Sequence, residues 1–131
     1  MSTDGPRHLF VYGTLRRGDV RWPLLQPYVA SPEPISDEVD GSLYDTGNDY
    51  PAARFGTGGV IRGEVFEIAT GRLEECLAHM DEVEGTVAGL YRRLALTTVS
   101  GVQVWAYEYG AGLGLTPIPS GDWLQHRPLA S

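Results

Sequence analysis

Cysteine is nearly missing from this chain, and lysine is absent. It has one cysteine, Cys76, and its ten Lys and Arg residues are all arginines. A single cysteine cannot form an intramolecular disulfide, which fits a reducing cytoplasm. The arginines are scattered along the chain, and the net charge is −7. Because nucleic-acid binders usually present a basic face, we expect no nucleic-acid partner.

Long hydrophobic runs and the common cofactor motifs are missing as well. No apolar run approaches the roughly 18 residues of a membrane-spanning helix, and "MSTDGPRHLF" lacks the apolar stretch of a signal peptide. We therefore expect a cytoplasmic protein without a membrane partner. His8, His79 and His126 lie far apart, without the Cys or acid spacing of a zinc site. There is no G-x-S-x-G motif, and "FGTGG" (55–59) is not followed by the Lys-Ser/Thr of a P-loop.

The residues that are present favour one domain over 1–131 with several strands. The 131 residues, 42% of them hydrophobic, are enough to bury one core. The patterns predict a strand and turn at 8–15, a short or broken helix near Pro23 and Pro27, and strand–turn–strand over 32–55. They further predict a loop at "FGTGG", a strand at 60–68, a hairpin over 91–110 and an irregular tail from Pro117. The sum is a small, barrel-like α+β domain.

One stretch, "LEECLAHMDEVEG" (73–85), is predicted to be an amphipathic helix. Its apolar stripe is formed by Leu73, Cys76, Leu77, Met80 and Val83. At about 100° per residue, Glu84 falls in the middle of this stripe, whereas Glu82 and Ala78 point away. We expect Thr70 to cap the helix and Gly85 to end it. Cys76 on the stripe is interpreted as a small hydrophobic residue rather than a nucleophile.

Glu84 has two interpretations. In the first, the helix frays before Glu84, or Glu84 forms a structural ion pair with Arg92 or Arg93. In the second, Glu84 is a base, because burial and the helix C-terminus both disfavour its charged form and would raise its pKa towards neutral pH. A carboxylate on the apolar stripe near the helix C-terminus does not stabilise the fold, so the functional interpretation is worth testing.

Two further stretches are candidates for binding. In "YGTLRRG" (12–18), a strand opens into a glycine turn, whose main-chain N–H groups can hold a carboxylate or an oxyanion. The alternative is an ordinary tight turn. Arg16 or Arg17 could assist from the rim of a site, but we expect both to be exposed to solvent. "YRR" (91–93) and the aromatic "VWAYEY" (104–109) are typical of core packing, with binding as the alternative.

Taken together, the motifs resemble those of γ-glutamylcyclotransferase-like proteins. "FVYGTLRRG", "GSLYDTGNDYPA", "VIRGEVFEI", "MDEVEG", "YRR" and "SGDW" occur in that family's order, over about residues 8–124. The family includes γ-glutamylcyclotransferase, γ-glutamylamine cyclotransferase and the butirosin-biosynthesis deacylating enzyme. "YGTL" with "SGDW" is closer to the bacterial and γ-glutamylamine-type branch than to the glutathione-specific one. The resemblance implies a small mixed β-barrel with flanking helices, a cavity at one end and no cofactor.

The same resemblance implies roles for individual residues. Tyr12, Gly13, Thr14 and Leu15, here called the YGTL loop, would bind substrate, and Glu84 would be the general base. We add Tyr91 to the candidate substrate-binding residues. The implied reaction converts a γ-glutamyl amide into 5-oxoproline and a free amine. Two alternatives stay open: a small-molecule-binding module of the same fold without turnover, and a protein-interaction domain with an acidic surface.

Overall fold

Six strands and two helices make up the described part of the chain. The computed structural model describes residues 6–13, 15–16, 21–45, 51–87, 91–109 and 116–123; of 84–87, 91 and 109 it describes only the main chain. The elements are β1 (His8–Val11), α1 (Trp22–Leu25) with a 3-10 turn (Gln26–Tyr28), β2 (Ile35–Asp45), β3 (Pro51–Glu67), α2 (Leu73–Val87), β4 (Tyr91–Thr97), β5 (Gln103–Tyr109) and β6 (Thr116–Ile118). None of the helices in these ranges has the length and apolar character needed to cross a membrane.

The strands form one curled sheet in the order β4-β5-β1-β3-β2-β6. Neighbours run antiparallel except β1 and β5, which pair in parallel at Leu9 and Trp105. The sheet bends back on itself because the turn between β4 and β5 reaches β2. There the Val99 N–H donates to the Glu38 carbonyl at 2.8 Å. The result is a half-barrel with helices outside it, which confirms the predicted α+β fold.

Strand β1 lies in the middle of the core, and its two faces supply two hydrophobic clusters. Leu9 and Val11 belong to the cluster that includes Cys76 and Met80 of α2. Phe10 points the other way, into the cluster inside the curl of the sheet. A strand buried on both faces shows a continuous apolar run rather than alternation, which explains "HLFV".

The strand predictions are confirmed with two corrections. "FGTGG" was expected to be a loop, but it lies within β3 as a bulge. Gly41 pairs with Phe55 and Asp40 with Val60, so residues 56–59 are left out of the residue-by-residue pairing with β2. Positive φ at Gly56 and Gly58 makes the bulge possible. The tail from Pro117 was expected to be irregular, but β6 pairs with the end of β2, Ile118 opposite Leu43.

The predicted start of α2 at Leu73 is confirmed, whereas its predicted cap and its predicted end are wrong. The helix begins at Leu73, so Arg72 rather than Thr70 precedes it. It continues through Gly85 to Val87, because glycine is tolerated inside a helix at a cost of about 1 kcal/mol relative to alanine. The predicted buried face is confirmed: Cys76, Leu77 and Met80 are buried, and Leu73 and Val83 pack against the same cluster.

Candidate active site

Tyr12 leaves the end of β1 and is fixed to a neighbouring strand. Its hydroxyl donates to the main-chain carbonyl of Tyr107 on β5 at 2.6 Å. Its ring meets that of Phe55 on β3 edge to face, with centroids 6.4 Å apart. The first residue of the YGTL loop is therefore held by β5 and β3 together.

Gly13, the second residue of the YGTL loop, lies close against β3. The Gly13 carbonyl accepts a hydrogen bond from the Arg16 N–H at 3.0 Å. A Cβ added at Gly13 would lie 2.7 Å from the Cγ of Pro51, so only glycine fits there without a shift. The Leu15 side chain is buried in the cluster that contains Met80, which leaves its main chain as the part suited to binding. Thr14 lies outside the described residues.

The structure describes the main chain of Glu84 but not its side chain, so the role of Glu84 stays a prediction. Its main chain lies in the last turn of α2, which excludes the interpretation in which the helix frays before it. The Tyr91 side chain is also outside the description; its main chain pairs with Tyr109. Cys76 is fully buried, and burial raises the pKa of its thiol to about 12, as suits a core residue.

Asp81, one turn before Glu84, joins α2 to two strands. Arg93 Nη1 on β4 donates to both Asp81 carboxylate oxygens at 2.6 Å. The Tyr107 hydroxyl donates to Oδ1, also at 2.6 Å. Burial and this contact with the Asp81 carboxylate raise the pKa of Tyr107, so it remains a donor. Asp81 lies in "MDEVEG", but nothing in the local pattern indicates its partners on β4 and β5.

The second arginine proposed as a partner of Glu84 binds another carboxylate. Arg92 Nη2 donates to Glu108 Oε1 at 2.9 Å, and the Phe55 N–H donates to Glu108 Oε2 at 3.0 Å. Burial by itself would raise the pKa of Glu108, but these donors outweigh it and the pKa lies below its usual value. Arg92 and Arg93 are thus engaged by Glu108 and Asp81.

Arg16, expected to be exposed to solvent, is instead enclosed. It donates from Nη1 to Asp122 Oδ1 at 2.9 Å, and its Nε lies 3.5 Å from Glu64 Oε2. Only 11% of its side chain is exposed. The partner acids are distant in sequence, which is why the local pattern predicted exposure. Arg17 lies outside the described residues.

The cavities that described residues line include two whose linings contain neither the YGTL loop nor Asp81. One, of about 580 Å³, lies at the start of α2 beside Leu73, Leu77 and Trp105. The other, of about 350 Å³, lies between Arg16 and Ser100. A substrate cavity at the YGTL loop thus stays a prediction. In the described ranges, no three His, Cys, Asp or Glu residues are grouped so as to hold a metal ion.

A family model and a relative of known name both match most of this chain. Residues 9–125 match the family model described as gamma-glutamyl cyclotransferase, AIG2-like. The gamma-L-glutamyl-butirosin B gamma-glutamyl cyclotransferase of Niallia circulans is 32% identical over 92% of this chain and 77% of its own length.

Solved structures share the fold. An uncharacterised protein of Pyrococcus horikoshii superposes with a TM-score of 0.70 at 26% identity, over 92% of each chain. A mouse AIG2-like protein superposes with a TM-score of 0.62 at 20% identity, over 93% of this chain and 90% of that one, and shows the fold alone. With most of its length matched by one family model, the chain belongs to the AIG2-like gamma-glutamyl cyclotransferase family.

Proposed function

We propose that the protein releases 5-oxoproline and a free amine from a γ-glutamyl amide, with Glu84 as general acid and base. The family supports a cyclotransferase that acts on a small γ-glutamyl molecule. The substrate, the mechanism and the role of Glu84 are our proposals, as is a cytoplasmic location.

The nucleophile in this reaction belongs to the substrate. Glu84 takes a proton from the α-amine, which attacks the γ-carbonyl carbon and closes a five-membered lactam. The carbon–nitrogen bond to the leaving amine then breaks, and that amine receives the proton from Glu84. Holding the two reacting ends together contributes up to about 7–11 kcal/mol in good intramolecular cases. Proton transfer by a positioned carboxylate adds roughly 10²–10⁴-fold. No Ser or Cys nucleophile and no cofactor is needed.

The YGTL loop is proposed to hold the substrate through its main chain. The N–H groups at Gly13, Thr14 and Leu15 would bind the α-carboxylate or the oxyanion that develops at the γ-carbonyl. The burial of the Leu15 side chain supports a main-chain role. Tyr91 is proposed as a further contact to the substrate.

The observation that carries the proposal is the hydrogen-bonded link between the loop and the helix. Tyr12 donates to the carbonyl of Tyr107, and the hydroxyl of Tyr107 donates to Asp81. Asp81 lies one helical turn before Glu84. This link supports a shared site, because it joins the start of the loop to the helical segment that contains the proposed base.

The leaving amine is proposed to be neutral or cationic rather than anionic. The net charge of −7 attracts cationic substrates over distance and repels additional acids. The Niallia circulans relative is named for γ-glutamyl-butirosin B. A panel of substrates should therefore include γ-glutamyl derivatives of diamines and amine-rich molecules beside γ-glutamyl dipeptides.

The test is release of 5-oxoproline from this panel by the wild type and by Glu84→Gln. The glutamine keeps the shape of the side chain and removes the base, so we expect turnover to fall by roughly 10²-fold or more. Glu82→Gln is the matched control, because it removes the same charge at an exposed position of α2. It should leave turnover unchanged.

Thermal melts of the same variants separate chemistry from folding. If Glu84 is the base, Glu84→Gln should melt at or slightly above the wild-type temperature, because a neutral amide is easier to bury than a charge. If Glu84 belongs to a buried structural ion pair, its loss should cost about 3–5 kcal/mol. Full turnover in Glu84→Gln contradicts the proposed role. No turnover by the wild type on any substrate favours a module of the same fold that binds without reacting.

A further inference from the structure

We propose that Asp81 is a positioning residue for this reaction: held by Arg93 and Tyr107, it fixes the last turn of α2 relative to the YGTL loop. The inference rests on the proposed function, since Glu84 is the group to be positioned. It assigns to the Asp81, Arg93 and Tyr107 side chains, here called the anchor, a role beyond stabilising the fold.

The anchor joins three elements at one carboxylate. Arg93 from β4 donates to both oxygens of Asp81, and Tyr107 from β5 donates to one of them. The Arg93 guanidinium also lies over the ring of Trp105, 5.0 Å from its centroid. Arg93 is therefore held on two sides, and Asp81 is restrained from two strands rather than from its own helix.

Tyr107 extends the anchor to the substrate loop. Its hydroxyl binds Asp81 on α2, and its main-chain carbonyl accepts from the Tyr12 hydroxyl at 2.6 Å. Only 4% of Tyr107 is exposed, so its packed side chain couples the contact with Asp81 to the contact with Tyr12. Residues three positions apart in a helix lie on neighbouring parts of its surface, which places Glu84 next to Asp81 along α2.

The anchor is built differently from an ion pair that stabilises a helix. Arg72, just before α2, and Glu75, in the first turn of α2, form an i, i+3 pair at the end of the helix far from Glu84. In the anchor 33% of the Asp81 side chain and 27% of the Arg93 side chain remain exposed, so solvent screens the pair and reduces its contribution to stability. Its geometry is nevertheless tightly defined. In reactions that depend on alignment, a displacement of about 1 Å can cost roughly 10²-fold in rate.

The experiment compares Asp81→Asn with Glu75→Gln, which removes one charge of the Arg72–Glu75 ion pair at the start of α2. We measure kcat and KM for 5-oxoproline release, and amide hydrogen exchange at residues 12–16 and 84–87. Asp81→Asn should lower kcat at least about tenfold while KM changes less than about threefold. It should also speed exchange in both segments. Glu75→Gln should leave kcat and both segments as in the wild type.

One further variant keeps the inference testable if Asp81→Asn fails to fold. Tyr107→Phe keeps the packed ring and removes only the hydroxyl, and it should lower kcat with KM nearly unchanged. Where Asp81→Asn folds, its combination with Arg93→Gln should cost no more in kcat than the more damaging single change, because residues that act as a unit are not additive.

The outcomes distinguish this inference from the proposed function. An active wild type, with kcat in Asp81→Asn or Tyr107→Phe equal to that of Glu75→Gln, overturns the inference alone. The inference is also overturned if each variant that loses kcat also melts at a lower temperature, and if its kcat returns to the wild-type value when the assay is run at a lower temperature. That result would indicate a structural role. A wild type inactive on every γ-glutamyl substrate overturns the proposed function and this inference together.

Discussion

Gly13 shows how a single missing Cβ fixes the start of the YGTL loop. Because a methyl group at Gly13 would lie 2.7 and 2.8 Å from two carbons of Pro51, either the loop or β3 must shift. We expect Gly13→Ala to lower the free energy of unfolding by about 1–3 kcal/mol, as overpacking does. Urea unfolding measures this change.

The control for Gly13→Ala is its combination with Pro51→Ala, which removes the ring carbons that the new methyl group meets. The double variant should be more stable than the sum of the two single changes predicts, because the clash is absent. Strict additivity would contradict the steric explanation.

Asp37 makes stability depend on pH at the point where the sheet closes. Its Oδ1 accepts hydrogen bonds from the Glu38 N–H at 2.8 Å and the Ser100 hydroxyl at 3.0 Å. Burial would raise the pKa of Asp37, but donors from Thr98, Glu38 and Ser100 outweigh it, and the folded-state pKa is lowered. Its stabilising contribution is therefore full above the unfolded pKa of about 3.9 and is lost as pH falls through the folded value.

We accordingly expect Asp37→Asn to lower the free energy of unfolding by about 1–3 kcal/mol at pH 7. The difference from wild type should shrink as the pH falls below about 4. Urea unfolding over a pH series measures it, with Glu67→Gln at an exposed position as the control. A difference that grows on acidification would contradict the assignment.

Among the elements, α2 shows what periodicity predicts and what it misses. The apolar spacing identified the buried face, since that face is set within the helix. It did not fix the ends: Gly85 is compatible with both a C-terminal cap and a helix interior, and the packing of α2 decides between them. Strand β3 shows the same limit, because the bulge at 56–59 depends on pairing with β2, which the glycine-rich stretch alone does not reveal.

Because Gly85 lies inside α2, its replacement by alanine should stabilise the protein, whereas replacement of a capping glycine would destabilise it. We expect Gly85→Ala to raise the free energy of unfolding by about 0.5–1 kcal/mol, because alanine loses less entropy in a helix. The matched control is Gly71→Ala, just before α2. Gly71 has φ of +82°, so the change should destabilise by about 1 kcal/mol. Thermal melts compare the two, and a loss of stability in Gly85→Ala would contradict the helical assignment.

For the whole molecule, the sequence predicted the class of fold and most strands, but not how the strands are ordered. The parallel pairing of β1 with β5 and the return of the β4–β5 turn to β2 are contacts between distant residues. Local hydrophobic patterns carry no information about such partners. The anchor was missed for the same reason, since Tyr107 is 95 positions from Tyr12 and 26 from Asp81. Glu84 could be singled out because its anomaly is local to one helix.

The parallel pairing of β1 with β5 also constrains how the chain can fold during synthesis. Strand β1 emerges from the ribosome before β3 and β5 and can pair with β3 once it is made, but in this sheet its other edge pairs only with β5. Until then the nascent chain displays an unpaired edge beside the apolar residues of β1. Non-local pairings of this kind slow folding, and exposed edges invite aggregation. The interval between the synthesis of β3 and that of β5 is thus the stage at which this edge is most exposed to aggregation.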